Sequence, residues 1–167
     1  GNTILPVDNG ELASGLFGDG RMAEPNYILQ KINDFFFKPA QLKGLNVLIT
    51  AGPTIEALDP VRYISNHSSG KMGAAIAEEF DKRGAGVTLI LGPSNADVKP
   101  SVSVIHVTSA NEMYEECMNR FQQAEIIIMA AAVADYTPET VSSTKIKKED
   151  DSIQITLKKT NDILKTV

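Results

Sequence analysis

Residues 46–73 read NVLITAGPTIEALDPVRYISNHSSGKMG, and this stretch decides the fold. Its apolar run 47–49 ends at Ala51-Gly52, a pattern typical of a short buried strand. A long polar loop follows, and residues 68–70 lead into a helix that we predict to begin near Lys71. A strand, a loop and a helix in that order form half of a βαβ unit.

The start of the predicted helix favours an anion. Its free backbone N–H groups and the positive end of its dipole suit a phosphate. The loop 52–70 is about twice as long as an ordinary connection between a strand and a helix, and long ordered loops are usually functional. We therefore predict a nucleotide and substrate site at this end of the strand.

Composition narrows the class of protein. The chain has 167 residues, of which 43% are hydrophobic and 22% charged, as in an ordinary globular domain. A net charge of −5 argues against nucleic-acid binding. The single cysteine, Cys117, allows no intrachain disulfide, which favours a cytoplasmic protein. No apolar run is long enough to span a membrane. Because the chain does not begin with Met, we expect a piece of a longer protein.

The rest of the second part follows a regular α/β pattern. We predict strands at 86–91 and 102–107, and a helix after Thr108 opened by a capping box of Ser109 with Glu112. The nearly all-apolar segment 125–131 predicts a central parallel strand covered on both faces. The alternating segment 152–157 predicts a half-exposed strand near an edge. The predicted fold is α/β, a Rossmann-like, three-layer, doubly wound and mostly parallel sheet, incomplete at the C-terminus.

The first 44 residues differ in character. Residues 1–23 are Gly-rich with little apolar periodicity. The run 15–22 resembles a phosphate loop, but it lacks G-x-G-x-x-G and no strong strand signal precedes it, so we predict a mobile Gly-rich segment. Glu24-Pro25 begins a helix with an apolar stripe that includes Ile28, Ile32 and Phe35. The run 35–37 is too apolar to stay exposed, so we expect this helix to dock on a partner. Residues 38–44 form a polar hinge and the predicted domain boundary.

The carboxyl ends of parallel strands gather the polar side chains that could bind a ligand. The loop 52–70 carries Arg62 and Asn66, four residues apart, and the loop 131–148 carries Asp135 and a lysine cluster. Cations facing a helix N-terminus suit a triphosphate. Three alternatives stay open: the lysines form a solvated surface loop, Arg62 forms an ion pair with Asp59 or Glu56, and residues 66–69 are a simple helix cap.

Other motifs are absent from the sequence. Gly70-Lys71-Met72 does not complete a Walker A motif, and the first turn lacks G-x-G-x-x-G. No spacing of His, Cys and Asp suits zinc, so we predict no metal-ligating residues. Cys117 lies on the apolar face of a helix and is predicted to be a core residue rather than a nucleophile.

Three motifs together resemble the phosphopantothenoylcysteine synthetase family. They are AGPTIEALDPVRYISNHSSGKMG at 51–73, AAAVADYTP at 130–138 and TKIKK at 144–148. Residues 1–37 resemble the C-terminal tail of a flavin-dependent decarboxylase that bacteria commonly fuse in front of the synthetase. The resemblance implies a decarboxylase tail at 1–37, a linker at 38–44 and the N-terminal part of the synthetase domain at 45–167.

This resemblance implies a phosphopantothenate–cysteine ligase of coenzyme A biosynthesis. Its substrates would be 4′-phosphopantothenate, L-cysteine and CTP with Mg²⁺. The carboxylate attacks the α-phosphate of CTP to form an acyl-cytidylate, and the amine of cysteine then displaces CMP. FMN would belong only to a decarboxylase domain missing from this chain. A homodimer is expected, with neither nucleic acid nor membrane as a partner.

The resemblance also implies individual roles. Asn66, Arg62 and Lys145 match residues that form and turn over the acyl-cytidylate. The positions matching the nucleotide site are Gly52, Ser68, Ser69, Gly70, Ala132, Asp135, Lys145, Lys147 and Lys148.

Two departures and two alternatives accompany this resemblance. Ser14 stands where the decarboxylase tail has a proton-donating cysteine, so no decarboxylase activity is expected from this chain alone. The chain also ends before the family's last strands and helices. The alternatives are an NAD(P)-linked Rossmann oxidoreductase, for which Tyr136 and Lys145 would be the active pair, and a non-catalytic nucleotide-binding fragment.

Overall fold

The computed structural model describes residues 4–36, 40–147 and 152–167. They divide between two compact units, Gly1–Pro39 and Ala40–Val167. Among the predicted features, Phe37, the start of the 38–44 hinge and Lys148 lie outside the described residues. The predicted domain identities stay predictions.

The first unit is a hairpin followed by a helix. Its elements are β1 (Asp8–Glu11), β2 (Phe17–Arg21) and α1 (Pro25–Phe36). The strands are antiparallel, and a turn joins them in which Gly15 donates to the Leu12 carbonyl at 2.8 Å. The expectation that no strand precedes the run 15–22 was wrong, and β2 lies within that run. Backbone pairing and a turn glycine at φ 78° build this hairpin without an apolar stripe.

Helix α1 begins at Pro25, as predicted, and has no buried residue within its unit. Phe35 and Phe36 are 61% and 71% exposed, and their rings meet edge to face with centroids 5.0 Å apart. That the helix docks on a partner stays a prediction.

The second unit contains a parallel sheet of four strands, in the spatial order β7 (Ser103–His106), β6 (Gly86–Leu91), β3 (Asn46–Ala51) and β8 (Ile126–Met129). In chain order its elements are β3 (Asn46–Ala51), β4 (Ile55–Ala57), β5 (Tyr63–Ser65), α2 (Lys71–Lys82), β6 (Gly86–Leu91), β7 (Ser103–His106), α3 (Ala110–Met118), a 3₁₀ turn (Phe121–Gln123), β8 (Ile126–Met129), β9 (Tyr136–Pro138) and β10 (Leu157–Lys159). The predicted α/β, Rossmann-like fold is confirmed.

Strand β3 explains the layering, because its side chains alternate between two helices. Val47 and Ile49 belong to the apolar cluster that contains Ala77 of α2. Leu48 belongs to the opposite cluster, with Met113 and Cys117 of α3. Each face of a strand with period two therefore meets its own helix. Cys117 is a fully buried core residue, as predicted.

The helix ends agree with the sequence signals, with one difference. Gly84 follows α2 at φ 88°, a C-terminal stop that favours glycine. At α3 the Ser109 hydroxyl accepts from the Glu112 N–H at 3.2 Å. The Glu112 carboxylate accepts from the Thr108 N–H at 2.7 Å, one residue before the position that a standard capping box uses.

Two strand predictions need correction. Strand β8 pairs only with β3 among the described residues, and all four of its residues are half-buried, so it is an edge strand rather than a central one. In the segment 152–157, only Leu157 is in a strand, because β9 pairs in antiparallel register with Leu157–Lys159. Alternation does not specify which residues find a partner strand.

The polar loop after β3 is partly ordered as a hairpin. Strands β4 and β5 pair antiparallel, with Glu56 opposite Ile64.

Among the described residues, no helix has the length and apolar character needed to cross a membrane.

Candidate functional site

Glycines bring the start of α2 against the end of β3. Gly52 and Gly70 have φ values of 78° and 70°, in the left-handed region that favours glycine. A Cβ on Gly70 would lie 2.6 Å from the Ser94 hydroxyl and 3.4 Å from the Gly52 Cα. Only glycine fits this approach, which places the first turn of α2 at the carboxyl edge of the sheet.

The first turn of α2 carries no side-chain cap. The N-cap residue is Gly70, so the interpretation of residues 66–69 as a simple serine cap was wrong. Ser68 accepts a long 3.4 Å bond from the Gly70 N–H, while the Ser69 carbonyl accepts from the Ser94 hydroxyl at 3.0 Å. The N–H groups of the first helical turn have no side chain competing for them, which suits an anion.

Asn66 lies beside this helix start and joins two loops. Its side-chain Nδ2 donates to the carbonyl oxygens of Ala132 at 3.3 Å and Val133 at 3.0 Å. The remaining Oδ1 is an acceptor that can receive a hydrogen bond from a ligand. Asn66 lines a cavity of about 840 Å³ whose other lining residues are Pro53, Ile55, Tyr63, Ser65, His67, Ser68, Ser69, Lys71, Pro93, Ser94 and Asn95.

Ala132 and Asp135 follow β8 and mark the other side of this edge. The Ala132 N–H donates to the Gly52 carbonyl at 2.8 Å, so two predicted site residues are joined through their backbones. Asp135 is exposed and lines a second cavity, of about 520 Å³, together with Lys159 and Asn161. Of the predicted nucleotide-binding residues, Ser68 and Ser69 line the first cavity and Asp135 lines the second, while Gly52, Gly70 and Ala132 line neither.

Arg62 does not line either cavity but forms a partly buried ion pair with Asp59. Its Nη1 lies 3.0 Å from the Asp59 Oδ2, and Nη1 and Nη2 each donate to the Ile146 carbonyl at 3.2 Å. The ion pair of Arg62 with Asp59 is confirmed, and Glu56 instead accepts from the Ala110 N–H at 2.8 Å. In this structure Arg62 holds a loop together, and its predicted catalytic role stays a prediction.

The Asp59 carboxylate is ionised in this setting. Burial alone raises the pKa of this group. The N–H groups of Val61, Ile146 and Arg62, with the charge of Arg62, lower it further than burial raises it, so the pKa of Asp59 falls below its ordinary value. Hydrogen bonds to the charged form are the cause.

Of the predicted lysine cluster, the structure describes Lys145 and Lys147. Lys145 and Lys147 are exposed and line neither of the two cavities, while Ile146 between them is half-buried. Lys148 lies outside the described residues. The predicted nucleotide-binding roles of these three lysines stay predictions.

Buried polar residues that the sequence analysis did not select support the edge of the sheet. Thr54 is 0% exposed, and its hydroxyl accepts from the Ala134 N–H at 3.0 Å. The Ser65 hydroxyl donates to the Thr54 carbonyl at 2.7 Å. A signal for them existed: Thr54, Glu56 and Asp59 are polar residues in a loop that packs on an apolar strand end, where buried polar groups need partners.

Residues 42–167 match the family model described as the DNA/pantothenate metabolism flavoprotein C-terminal domain. The chain belongs to this family. A coenzyme A biosynthesis bifunctional protein CoaBC from Haemophilus influenzae is 52% identical over 167 residues, which is 100% of this chain and 42% of that protein. A cysteine/cysteine sulfinic acid decarboxylase from an unknown prokaryotic organism is 49% identical, over 98% of this chain and 47% of its own.

A solved structure has the same fold. The crystal structure of the C-terminal domain of a coenzyme A biosynthesis bifunctional protein CoaBC has a TM-score of 0.67 and 43% identity, over 76% of this chain and 59% of that one. The chain spans less than half the length of the curated relatives.

These comparisons correct the predicted identity. The description of the matching family names a flavoprotein, and one relative is named a decarboxylase. None of the four descriptions names a synthetase or a ligase. The assignment to the phosphopantothenoylcysteine synthetase family is replaced by the flavoprotein family. The prediction of phosphopantothenate–cysteine ligase activity without decarboxylase activity was therefore wrong.

The family description implies a flavin, and the larger cavity offers suitable groups. The first turn of α2, with Ser68, Ser69 and Lys71, fits the phosphate of FMN. Ile55 and Tyr63 line the same cavity and offer an apolar surface for a flat ring. The same groups also suit other phosphorylated ligands, so they indicate a phosphate site without selecting one molecule.

Proposed function

We propose that this chain acts in coenzyme A biosynthesis and binds a phosphorylated ligand in the 840 Å³ cavity. The observation that carries the proposal is the uncapped start of α2, at Gly70, beside Asn66. The names of the relatives support the pathway. The ligand that we expect is 4′-phosphopantothenate.

The phosphate has a place in this cavity. Backbone N–H groups of the first turn of α2 donate to its oxygens, and the dipole of the helix favours its charge. The hydroxyls of Ser68 and Ser69 and the ammonium of Lys71 line the same cavity and add donors. Hydrogen bonds to a charged oxygen are shorter and about twice as strong as neutral ones, so the phosphate supplies much of the affinity.

The remainder of the ligand is recognised by Asn66. Its Nδ2 is engaged by the carbonyls of Ala132 and Val133, which holds Oδ1 as an acceptor. The pantothenate part of the ligand carries hydroxyl and amide donors, and one of them binds Oδ1. Unphosphorylated pantothenate keeps these donors but lacks the phosphate.

A nucleotide is the second ligand that we propose. In the 520 Å³ cavity, the Asp135 carboxylate is suited to ribose hydroxyls and Lys159 to phosphate. CTP with Mg²⁺ would occupy this cavity. FMN is the phosphorylated ligand that the family description favours instead, and it would compete with 4′-phosphopantothenate for the first cavity. When bound, FMN supplies electron-transfer chemistry, and this chain's residues hold its phosphate.

Isothermal titration calorimetry tests the proposal with matched pairs of ligands. The pairs are 4′-phosphopantothenate and pantothenate, FMN and riboflavin, and CTP and cytidine with Mg²⁺. We expect 4′-phosphopantothenate to bind at least about tenfold more tightly than pantothenate, because charge-assisted bonds contribute roughly 1.5–3 kcal/mol. Equal affinity for both members of every pair would overturn the phosphate site. Binding of FMN alone would assign the first cavity to the flavin.

A further inference from the structure

We infer that Asp59 is a positioning residue that fixes the segment 142–147, and with it Lys145 and Lys147, to the loop between β4 and β5. The part concerning the lysines rests on the proposed phosphate binding, whereas the attachment itself is independent of it. The hydrogen bond from the Ile146 N–H to the Asp59 carboxylate joins residues 87 positions apart in the chain.

The Asp59 carboxylate is saturated with donors. Its Oδ1 accepts from the N–H groups of Val61 and Arg62, both at 2.7 Å. Its Oδ2 accepts from the Arg62 Nη1 at 3.0 Å and from the Ile146 N–H at 3.1 Å. The residue is 3% exposed. A carboxylate with both oxygens engaged and little access to water is a rigid connection.

Ile146 is held by both of its backbone polar groups. Its N–H donates to Asp59, and its carbonyl accepts from both terminal nitrogens of Arg62, each at 3.2 Å. A second attachment lies four residues earlier, where the Ser142 N–H donates to the Leu58 carbonyl at 3.0 Å. These two points fix the backbone of a segment that otherwise has no helix or strand.

The arrangement leaves the lysines free while it fixes their backbone. Lys145 and Lys147 flank the anchored Ile146, and both are exposed. Holding the backbone reduces the entropy that the segment loses when its ammonium groups bind an anion. Neither lysine lines the two cavities, so the effect on a ligand depends on their predicted role: if they bind a phosphorylated ligand, Asp59 acts on that ligand through them rather than by touching it.

Asp59→Asn tests the attachment because it keeps the shape of the side chain. An amide has only one acceptor oxygen, so the NH₂ group of the substituted side chain would face N–H donors that the carboxylate accepts from. The substitution also removes the negative charge that pairs with Arg62. Asp59→Ala removes both acceptors. Asp97→Asn, at an exposed position in the loop after β6, is the matched control.

Hydrogen exchange followed by mass spectrometry measures the attachment directly. In Asp59→Asn we expect a peptide containing Ile146 to exchange at least about tenfold faster, while peptides from β3 keep their wild-type rates, since local opening is separate from global unfolding. Unchanged exchange around Ile146 in both Asp59 variants would overturn the inference. If these variants fail to fold, Arg62→Lys removes the two-nitrogen contact to the Ile146 carbonyl and should accelerate exchange of the same peptide; no acceleration would overturn it too.

A double-mutant cycle tests the effect on the lysines. Affinity for 4′-phosphopantothenate is measured for Asp59→Asn, Lys145→Gln and the double variant. Positioning predicts a coupling of at least about threefold, because the anchor matters only while the lysine is present. Additive effects would overturn the positioning of Lys145. If the wild-type protein binds no phosphorylated ligand, the proposed function and the lysine part both fail, and the exchange result still decides the attachment.

Discussion

The side-chain Nδ2 of Asn66 lies 3.0 Å from the carbonyl oxygen of Val133. This bond connects the loop after β5 with the loop after β8, beside the uncapped start of α2. One amide therefore sets the distance between the loops that line the two cavities, and it keeps its own oxygen available.

Asn66→Asp should weaken binding of 4′-phosphopantothenate by about 10- to 100-fold. The substitution replaces the donor to the Ala132 and Val133 carbonyls with an acceptor, and it adds a negative charge near the phosphate. The loss of the donor to both carbonyls and the repulsion of the phosphate together cost roughly 1.5–3 kcal/mol. Calorimetry at constant ionic strength measures the affinity.

The control for this substitution is Asn119→Asp, which changes the same groups at the exposed C-cap of α3. Its affinity should equal that of the wild-type protein. Equal losses in both variants would mean that net charge, and not the site, determines binding. Wild-type affinity in Asn66→Asp would remove this residue from the site.

Gly73→Ala should destabilise the second unit, although alanine favours helices by about 1 kcal/mol over glycine. A Cβ on Gly73 would lie 2.4 Å from the Cβ of Ala51, where α2 crosses β3. Overpacking of this kind costs roughly 1–3 kcal/mol. Urea unfolding measures the change. The double variant with Ala51→Gly should recover most of the loss, and a Gly73→Ala protein at least as stable as wild type would contradict the close approach.

The parallel sheet could be predicted because its signals are local. Strand β6 lies at 86–91, as its apolar run predicts, and α2 begins at Lys71, as predicted. Opposite faces of β3 pack on different helices, which is what a run without polar interruption requires. Each of these elements could be predicted from residues that lie close together in the sequence.

The attachments across the chain could not be predicted, since they join residues far apart. Asp59 and Ile146 are 87 positions apart, and nothing near Asp59 specifies that its second oxygen meets that N–H. By contrast, Asp59 and Arg62 are only three positions apart, and the sequence allowed their ion pair as one alternative for Arg62. The small hairpins β1–β2 and β4–β5 were also missed, because they rely on backbone pairing and turn geometry rather than on apolar alternation.

The Cys117 thiol should react slowly in the folded protein. Burial, assisted by the nearby charge of Glu116, raises the pKa of this thiol to about 11. At pH 8 about one molecule in a thousand would carry the reactive thiolate, compared with roughly a quarter for an exposed thiol. Ellman's reagent should label Cys117 quickly in urea and at least about tenfold more slowly without it. Equally fast labelling in both conditions would show that α3 opens readily.

The stabilising effect of Asp59 should depend on pH in a defined direction. Burial raises the pKa of this carboxyl, but the N–H groups of Val61, Ile146 and Arg62 and the Arg62 charge lower it more, so the folded-state pKa lies below the unfolded one. A lowered pKa gives stability that is present above the unfolded value of about 3.9 and is lost as the pH falls through the folded value. The difference in urea midpoint between wild type and Asp59→Asn should therefore be constant near neutral pH and shrink under acid conditions.

Glu79→Gln provides the comparison for this pH series. The Arg83 side chain, at 2.8 Å, and Lys82 also lower the pKa of Glu79, but this carboxylate is on the exposed face of α2. Its effect should disappear in roughly 1 M salt, where the Debye length falls to about 3 Å. The effect of Asp59 should persist, because this carboxylate is buried and bonded to three backbone N–H groups. An Asp59 effect that grows as the pH falls, or that vanishes in salt as that of Glu79 does, would contradict a buried anionic anchor. An Asp59→Asn effect on the urea midpoint that persists in salt would show that the buried carboxylate stabilises this edge of the sheet.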